Sequence, residues 1–78
     1  MKMKTVVIRL KEIKDVYDFV GIVTTYPGEI DIVSGRYRVN AKSVMGIFAL
    51  DLTQPLNLEI LGEDTDAVIA KLDPFIVK

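Results

Sequence analysis

The sequence predicts a two-layer α+β open-faced sandwich in the order β-α-β-β-α-β-α, with a four-stranded antiparallel sheet and three helices on one face. Four short segments alternate apolar and polar residues, which is typical of strands with one buried face. Between and after them, apolar residues recur every three or four positions, the spacing of a helix with one buried stripe. Strands buried on one side favour an antiparallel sheet covered by helices. A chain of 78 residues leaves room for one domain, 1–78.

The first half of the chain contains signals for a strand, a helix and a hairpin. Alternation predicts a first strand over about residues 4–10. A helical stripe follows, and the helix should stop before Pro27-Gly28. Its apolar members are Ile13, Val16, Phe19, Val20, Val23 and Tyr26. Alternation resumes over 29–41, where the Ser34-Gly35 turn signal predicts a β-hairpin of the second and third strands.

The second half predicts a helix, a strand and a helix. Ser43 suits the N-cap of a short apolar helix over about 44–50, because its hydroxyl can accept a bond from an unpaired helix N–H. Alternation over 56–60 predicts the fourth strand. The last helix has a cap at Asp64 or Thr65 and apolar positions at Val68, Ile69, Leu72 and Ile76. Pro74 should kink or end it, since proline lacks the N–H.

The composition excludes several kinds of chemistry. The chain has no cysteine, so disulfides, thiolate metal sites and a cysteine nucleophile are excluded. It has no histidine either, the side chain best suited to proton transfer near neutral pH and the commonest metal ligand. A net charge of −1 gives no reason to expect nucleic acid, and no segment approaches the roughly 20 apolar residues of a membrane helix. We expect a cytoplasmic protein that is not an enzyme and uses no metal or other cofactor.

One stretch resembles a known family. Residues 39–50 have the sequence VNAKSVMGIFAL, in which Lys-Ser, a bulky aliphatic residue and Met-Gly open the short helix. This is similar to the second signature of the HPr family, the small phosphocarriers of the bacterial sugar phosphotransferase system. Residues 58–64 also resemble the family's fourth strand and its polar entry to the last helix. The resemblance implies an HPr-like fold over nearly the whole chain.

The family's other signature is where this sequence departs. That signature is a Gly-x-His-Ala-Arg-Pro-like loop whose histidine carries the phosphoryl group and whose arginine helps to hold it. An ungapped match places Glu12 at the histidine position and Lys14 at the arginine position. The resemblance therefore implies a member that is not competent as a histidine phosphocarrier. Glu12 could offer a phosphate-like negative charge, or it could be an ordinary solvated glutamate.

The resemblance also implies two candidate sites. In Gram-positive relatives a dedicated kinase phosphorylates the serine of this motif, which gives that role to Ser43; the alternative is an N-cap and nothing more. The same helix presents an apolar patch to partners in the family, and the alternative is that its residues pack into the core. The implied partner-binding residues are Val44, Met45 and Phe48, with Ile47 and Leu50 pointing inward.

The remaining charged residues have plainer interpretations. The basic ones are expected to be solvated rather than to form an anion site: Lys14, Arg36, Arg38 and Lys42. An acidic group is expected to complement the dipole of the last helix, and it lacks the ligand spacing of a calcium loop: Glu63, Asp64 and Asp66.

The leading functional hypothesis is a regulatory or adaptor protein that binds a protein partner, such as a serine kinase or a transcriptional regulator, and switches by phosphorylation of Ser43. Two alternatives stay open. One is a domain that counts as a phosphotransferase component by homology but is inert in phosphotransfer. The other is an accessory subunit or small-molecule binder, for which the sequence offers no convergent polar pocket.

Overall fold

The computed structural model describes residues 2–77 and contains the predicted elements. The strands are β1 (Lys2–Ile8), β2 (Glu29–Ser34), β3 (Tyr37–Asn40) and β4 (Leu56–Gly62). The helices are α1 (Ile13–Thr24), α2 (Val44–Phe48) and α3 (Thr65–Lys71), and a single 3-10 turn, Asp73–Phe75, follows α3. The predicted fold class is confirmed. The prediction of one domain over 1–78 stays a prediction, and Met1 and Lys78 lie outside the described residues.

The strands form one antiparallel sheet in the order β1-β4-β2-β3. Both β1 and β2 run antiparallel to β4, so they are parallel to each other with β4 between them. In the same way β3 and β4 flank β2 and run parallel. The segments β1-α1-β2 and β3-α2-β4 are therefore two interleaved split β-α-β units, which is the arrangement that the element order predicts.

The core lies between one face of the sheet and the helices. Leu56, Leu58 and Ile60 alternate along β4 and have no exposed surface. From the other layer, α1 contributes Phe19 to the core, and it is equally buried. β4 is an inner strand, with β1 on one side and β2 on the other. Within residues 2–77 no helix combines the length and the apolar character needed to cross a membrane.

The predicted end of β1 is wrong by two residues. The strand stops at Ile8, opposite Leu56, because β4 begins there and offers no further partner. The next residue turns to the C-terminal segment instead, and the Arg9 N–H donates to the Phe75 carbonyl at 2.8 Å. Leu10 is still buried, with 1% exposure, although it lies outside the sheet. The alternation therefore predicted the burial and the strand length of 7 residues correctly, but β1 lies two residues earlier than predicted, since it also begins at Lys2 rather than near Lys4.

The two ends of the predicted α1 stripe also differ from expectation. Ile13 is 68% exposed, because the first turn of α1 extends beyond the surface that the sheet covers. Tyr26 lies beyond the helix, which ends at Thr24, and yet it is buried. Its hydroxyl donates to the Glu63 carbonyl at 2.6 Å and ties the end of the α1 segment to the start of α3. The middle of the stripe is confirmed as core.

The other helices end close to the predicted places, except that Ile76, predicted as an apolar position of the last helix, lies beyond α3 and forms a β-bridge with Ile8. α2 ends at Phe48 rather than near residue 50, and Ala49 is its C-cap. α3 ends at Lys71, and Pro74 falls in the 3-10 turn that follows, as its missing N–H predicts. Asp64 is the N-cap of α3 in a left-handed conformation with φ of 55°, but its side chain makes no capping bond.

Candidate functional site

Ser43 caps α2 in the predicted way. Its backbone is extended, and its Oγ accepts a hydrogen bond from the Gly46 N–H at 3.1 Å. That bond satisfies one of the donors that a helix leaves unpaired in its first turn. Ser43 is half-buried, so it is neither enclosed in the core nor fully exposed. The capping prediction is confirmed, and the cap places a nucleophilic oxygen directly before the apolar helix.

The short helix α2 divides its side chains between core and surface. Ile47 is fully buried, and the Leu50 that follows the helix packs partly buried against the core, as the resemblance implies. Met45 is 80% exposed and Phe48 is 38% exposed. Val44 packs against the edge of the core and is half-buried. Of the three implied partner-binding residues, two therefore lie at the surface and one at its margin.

The first helix enlarges this surface with Tyr17, which the sequence analysis did not select, and with Ile13, which it placed in the buried stripe. Tyr17 is 58% exposed, and its ring meets the Phe48 ring edge-on at a centroid distance of 6.1 Å. Ile13 lies one turn before Tyr17 on the same side of α1. We call Ile13, Tyr17, Met45 and Phe48 the apolar surface. Helical spacing could have identified Tyr17 as a surface residue, because it lies one turn after Ile13 and outside the stripe of buried residues.

At the start of α1, where the family signature would place its histidine, a carboxylate of the same helix accepts hydrogen bonds from backbone N–H groups. Glu12 is the N-cap, and its side chain is exposed. Asp15 reaches back, and its Oδ2 accepts hydrogen bonds from the N–H groups of Lys11 and Glu12 at 3.0 and 3.2 Å. A carboxylate at this end also complements the positive pole of the helix dipole. Two backbone N–H groups next to the helix start, those of Lys11 and Glu12, are thus already satisfied by the protein.

Lys14, which matches the arginine position, is engaged elsewhere. Its Nζ donates to Asp18 Oδ2 at 2.9 Å, one turn further along α1. This hydrogen bond and the charge of Asp18 raise the pKa of Lys14. Its ammonium group is directed to a side chain of its own helix and not to the position of Glu12.

Two of the four basic candidates make structural contacts. Lys42 was expected to be solvated, and that is wrong: its Nζ donates to the carbonyls of Tyr26 and Gly28 at 2.8 and 3.2 Å. Arg38 crosses the open face of the sheet and pairs with Asp31 and Glu59 at 3.0 and 2.9 Å. The pairing raises the pKa of Arg38. Lys42 thus stabilises the loop before β2 through two hydrogen bonds, and Arg38 on β3 forms ion pairs with residues of β2 and β4.

The remaining charged candidates lie at the surface. Arg36 is exposed in the turn between β2 and β3. In the acidic group, Asp66 lies in the first turn of α3, where it complements the dipole, and it approaches Lys4 to 3.9 Å. Among residues 2–77 no three acidic side chains are arranged to hold a metal ion.

Comparisons with known proteins point to one family. The family model described as "PTS HPr component phosphorylation site" matches residues 15–78. The fold is similar to the crystal structure of HPr-C-His from Thermoanaerobacter tengcongensis, with 29% sequence identity, a TM-score of 0.76, and 95% of this chain and 89% of that chain covered. It is also similar to the phosphocarrier protein HPr from Bacillus anthracis str. Ames, with 24% identity, a TM-score of 0.73, and 97% and 96% covered. No curated protein matches the sequence. The family match begins after residue 12, so the place of Glu12 rests on the ungapped motif match.

Proposed function

The chain belongs to the HPr family, and we propose that it is a member that carries no phosphoryl group on histidine and acts by binding a protein partner. Proteins of this family are phosphocarriers that work through contacts with other proteins, and are not enzymes proper. The observation that carries the proposal is the complete lack of histidine among the 78 residues. Without an imidazole no phosphohistidine can form, so we propose that this HPr fold acts through binding.

The charges around α1 support the loss of phosphotransfer. The position that matches the histidine holds Glu12, a carboxylate that would repel an incoming phosphoryl group. The position that matches the arginine holds Lys14, which is hydrogen-bonded to Asp18. Both departures disfavour phosphotransfer. The nucleophilic histidine is absent at position 12, and the cation at position 14 is paired with Asp18.

The apolar surface supports a binding role. Met45 is 80% exposed, whereas Ile47, two residues later on the opposite side of α2, is fully buried. A methionine side chain adapts to different partners because it is unbranched and polarizable. Exposed apolar clusters of this kind mark interaction sites in soluble proteins. We therefore propose that partners dock on α2 through Met45 and Phe48, with Val44 at the rim.

Phosphorylation of Ser43 is the proposed switch. A phosphoryl group there would add about −1.5 to −2 charges immediately before Val44 and Met45. The added charge would repel an acidic partner or recruit a basic one. The half-buried position of the hydroxyl at the start of α2 supports access by a serine kinase, after modest rotation of the side chain away from Gly46. A transcriptional regulator that senses this charge is the partner class we favour.

The first experiment tests phosphotransfer. The protein is incubated with phosphoenolpyruvate and the general enzyme of the phosphotransferase system, beside a histidine-bearing HPr as a positive control. We expect acid-labile phosphate on the control and none on this protein. A parallel incubation with an HPr serine kinase and ATP should place an acid-stable phosphate on Ser43, read by mass spectrometry. Acid-labile label on this protein, or an unmodified Ser43, would contradict the corresponding part of the proposal.

The second experiment tests the docking surface with a matched pair of variants. Met45→Glu places a charge on the apolar surface, and Met3→Glu places the same charge on an exposed methionine of β1. Both positions are exposed, so neither change should alter stability by more than about 0.5 kcal/mol. We expect partners retained by the wild type and by Met3→Glu to be lost with Met45→Glu. Equal retention by all three proteins would show that another surface binds.

A further inference from the structure

The carboxylate of Asp15 has a consequence beyond helix capping. We propose that Asp15 is a second determinant of phosphotransfer incompetence, so that restoring histidine at position 12 does not by itself create an efficient phosphoryl acceptor. The inference rests on the proposed function, because it takes residue 12 as the position at which family members carry the phosphoryl group. It assigns to Asp15 an electrostatic effect on its neighbour that is separate from the missing imidazole.

The first step is geometric. Asp15 Oδ2 lies 3.2 Å from the backbone nitrogen of Glu12 and 3.0 Å from that of Lys11. A side chain at position 12 branches from a Cα only about 1.5 Å from that nitrogen. The carboxylate therefore lies within a few ångströms of the base of any side chain placed there. One oxygen serves both donors, which holds the carboxylate against the start of the helix.

The second step is the balance of charge. A phosphoryl group at position 12 would add about −1.5 to −2 charges beside the carboxylate of Asp15, and like charges at this distance repel. The positive pole of α1, which would otherwise favour the phosphoryl group, is already shared with that carboxylate. The nearest matching cation, Lys14, is paired with Asp18 at 2.9 Å.

The reaction used as the test is a transfer between two imidazoles. The donor is a phosphohistidine enzyme of the phosphotransferase system charged by phosphoenolpyruvate, and the acceptor is the imidazole introduced by Glu12→His. The P–N bond to the donor breaks, and its electron pair returns to the donor nitrogen. A ring nitrogen of the acceptor forms the new P–N bond with its lone pair. The proton that the acceptor ring loses passes to the donor ring or to water.

The experiment compares the labelling rates of four proteins: the wild type, Glu12→His, Glu12→His with Asp15→Asn, and Glu12→His with Asp66→Asn. Asparagine at position 15 keeps an oxygen acceptor for the two N–H groups but removes the charge. Asp66 is the matched control, a carboxylate in the first turn of α3. We expect Asp15→Asn to raise the rate of Glu12→His about ten-fold, and Asp66→Asn to leave it unchanged.

The outcomes separate this inference from the function on which it rests. Label on the wild type would overturn the proposed function. Label on Glu12→His at the same rate with and without Asp15→Asn would overturn the inference alone, and so would the absence of label on both.

An NMR titration supplies a readout that needs no partner enzyme. The imidazole introduced by Glu12→His should have a pKa lower by about 0.5 when Asp15→Asn is added, because an adjacent carboxylate favours the charged ring. Circular dichroism confirms that each variant is folded. An imidazole pKa that does not respond to Asp15→Asn would refute the electrostatic coupling directly.

Discussion

Replacing Phe19 by alanine should remove a large part of the stability of this fold. The ring of Phe19 has no exposed surface and meets the Phe75 ring edge-on, at a centroid distance of 6.3 Å and an angle of 87°. Truncation of a buried phenylalanine to alanine costs about 3–5 kcal/mol, from the lost transfer free energy and the cavity left behind. A domain of this length has roughly 4–12 kcal/mol of stability in total. The substitution should therefore remove between about a quarter and the whole of that stability.

Urea unfolding followed by circular dichroism measures this cost. We expect the midpoint to fall while the dependence of the unfolding free energy on urea stays the same, since the surface exposed on unfolding hardly changes. Tyr17→Ala is the matched control, an aromatic residue two positions earlier on α1 that is 58% exposed. It should cost no more than about 1 kcal/mol.

A milder variant keeps the test informative if Phe19→Ala does not fold. Phe19→Leu removes about three carbons from the same site and should cost about 2 kcal/mol at roughly 0.8 kcal/mol per buried methylene. The reasoning is refuted if Phe19→Ala and Tyr17→Ala shift the midpoint equally. Such a result would mean that the layer between α1 and the sheet is not the main source of stability.

Three further predictions follow from local contacts. Gly62→Ala should destabilise the fold by about 1–3 kcal/mol, because the φ of Gly62 is +152° and a Cβ there would lie 2.6 Å from the Tyr26 hydroxyl. Gly21→Ala is the control: a Cβ there has open space, so it should stabilise α1 by about 0.5–1 kcal/mol. Thermal melts of the two variants measure the difference. Tyr26→Phe should lower the urea midpoint, though less than Phe19→Ala, by removing a donor to a carbonyl at the start of α3. Hydrogen bonds from Thr53 lower the pKa of Asp51 in the folded protein. The stability that this carboxylate provides is therefore fully present above the pKa of the unfolded chain, about 3.9. It is lost as the pH falls through the lower pKa of the folded protein. Asp51→Asn should therefore reduce the loss of melting temperature between about pH 6 and pH 2, and an unchanged acid dependence would contradict this.

The strands could be predicted because one-sided burial leaves a period of two in the sequence. Along β4 the residues Leu56, Leu58 and Ile60 are all fully buried, and the residues between them are not. The cap at Ser43 could be predicted for a similar reason, since a hydroxyl acts on an N–H only three residues away. Both signals are local, and the residues that produce them are adjacent or nearly so.

The exposure of Ile13 shows what local sequence patterns do not predict. Helical spacing identifies an apolar stripe, but it does not say how far the facing sheet extends beneath it. Val16 is covered and fully buried, whereas Ile13, one turn earlier, lies beyond the covered area and is 68% exposed. Leu10 is the opposite case, since it leaves the strand and remains buried by the C-terminal segment. Each outcome depends on contacts between segments that are distant in the sequence.

The starts of α1 and α2, the two helices that matter for the proposed function, are capped by different chemical groups. Asp15 closes α1 with a carboxylate that accepts two N–H bonds. Ser43 closes α2 with a neutral hydroxyl that accepts one bond and can still be modified. A phosphoryl group at the start of α1 would lie beside the Asp15 carboxylate, whereas one on Ser43 would lie at the positive pole of a helix. We therefore propose that, of these two positions, Ser43 is the one that is phosphorylated.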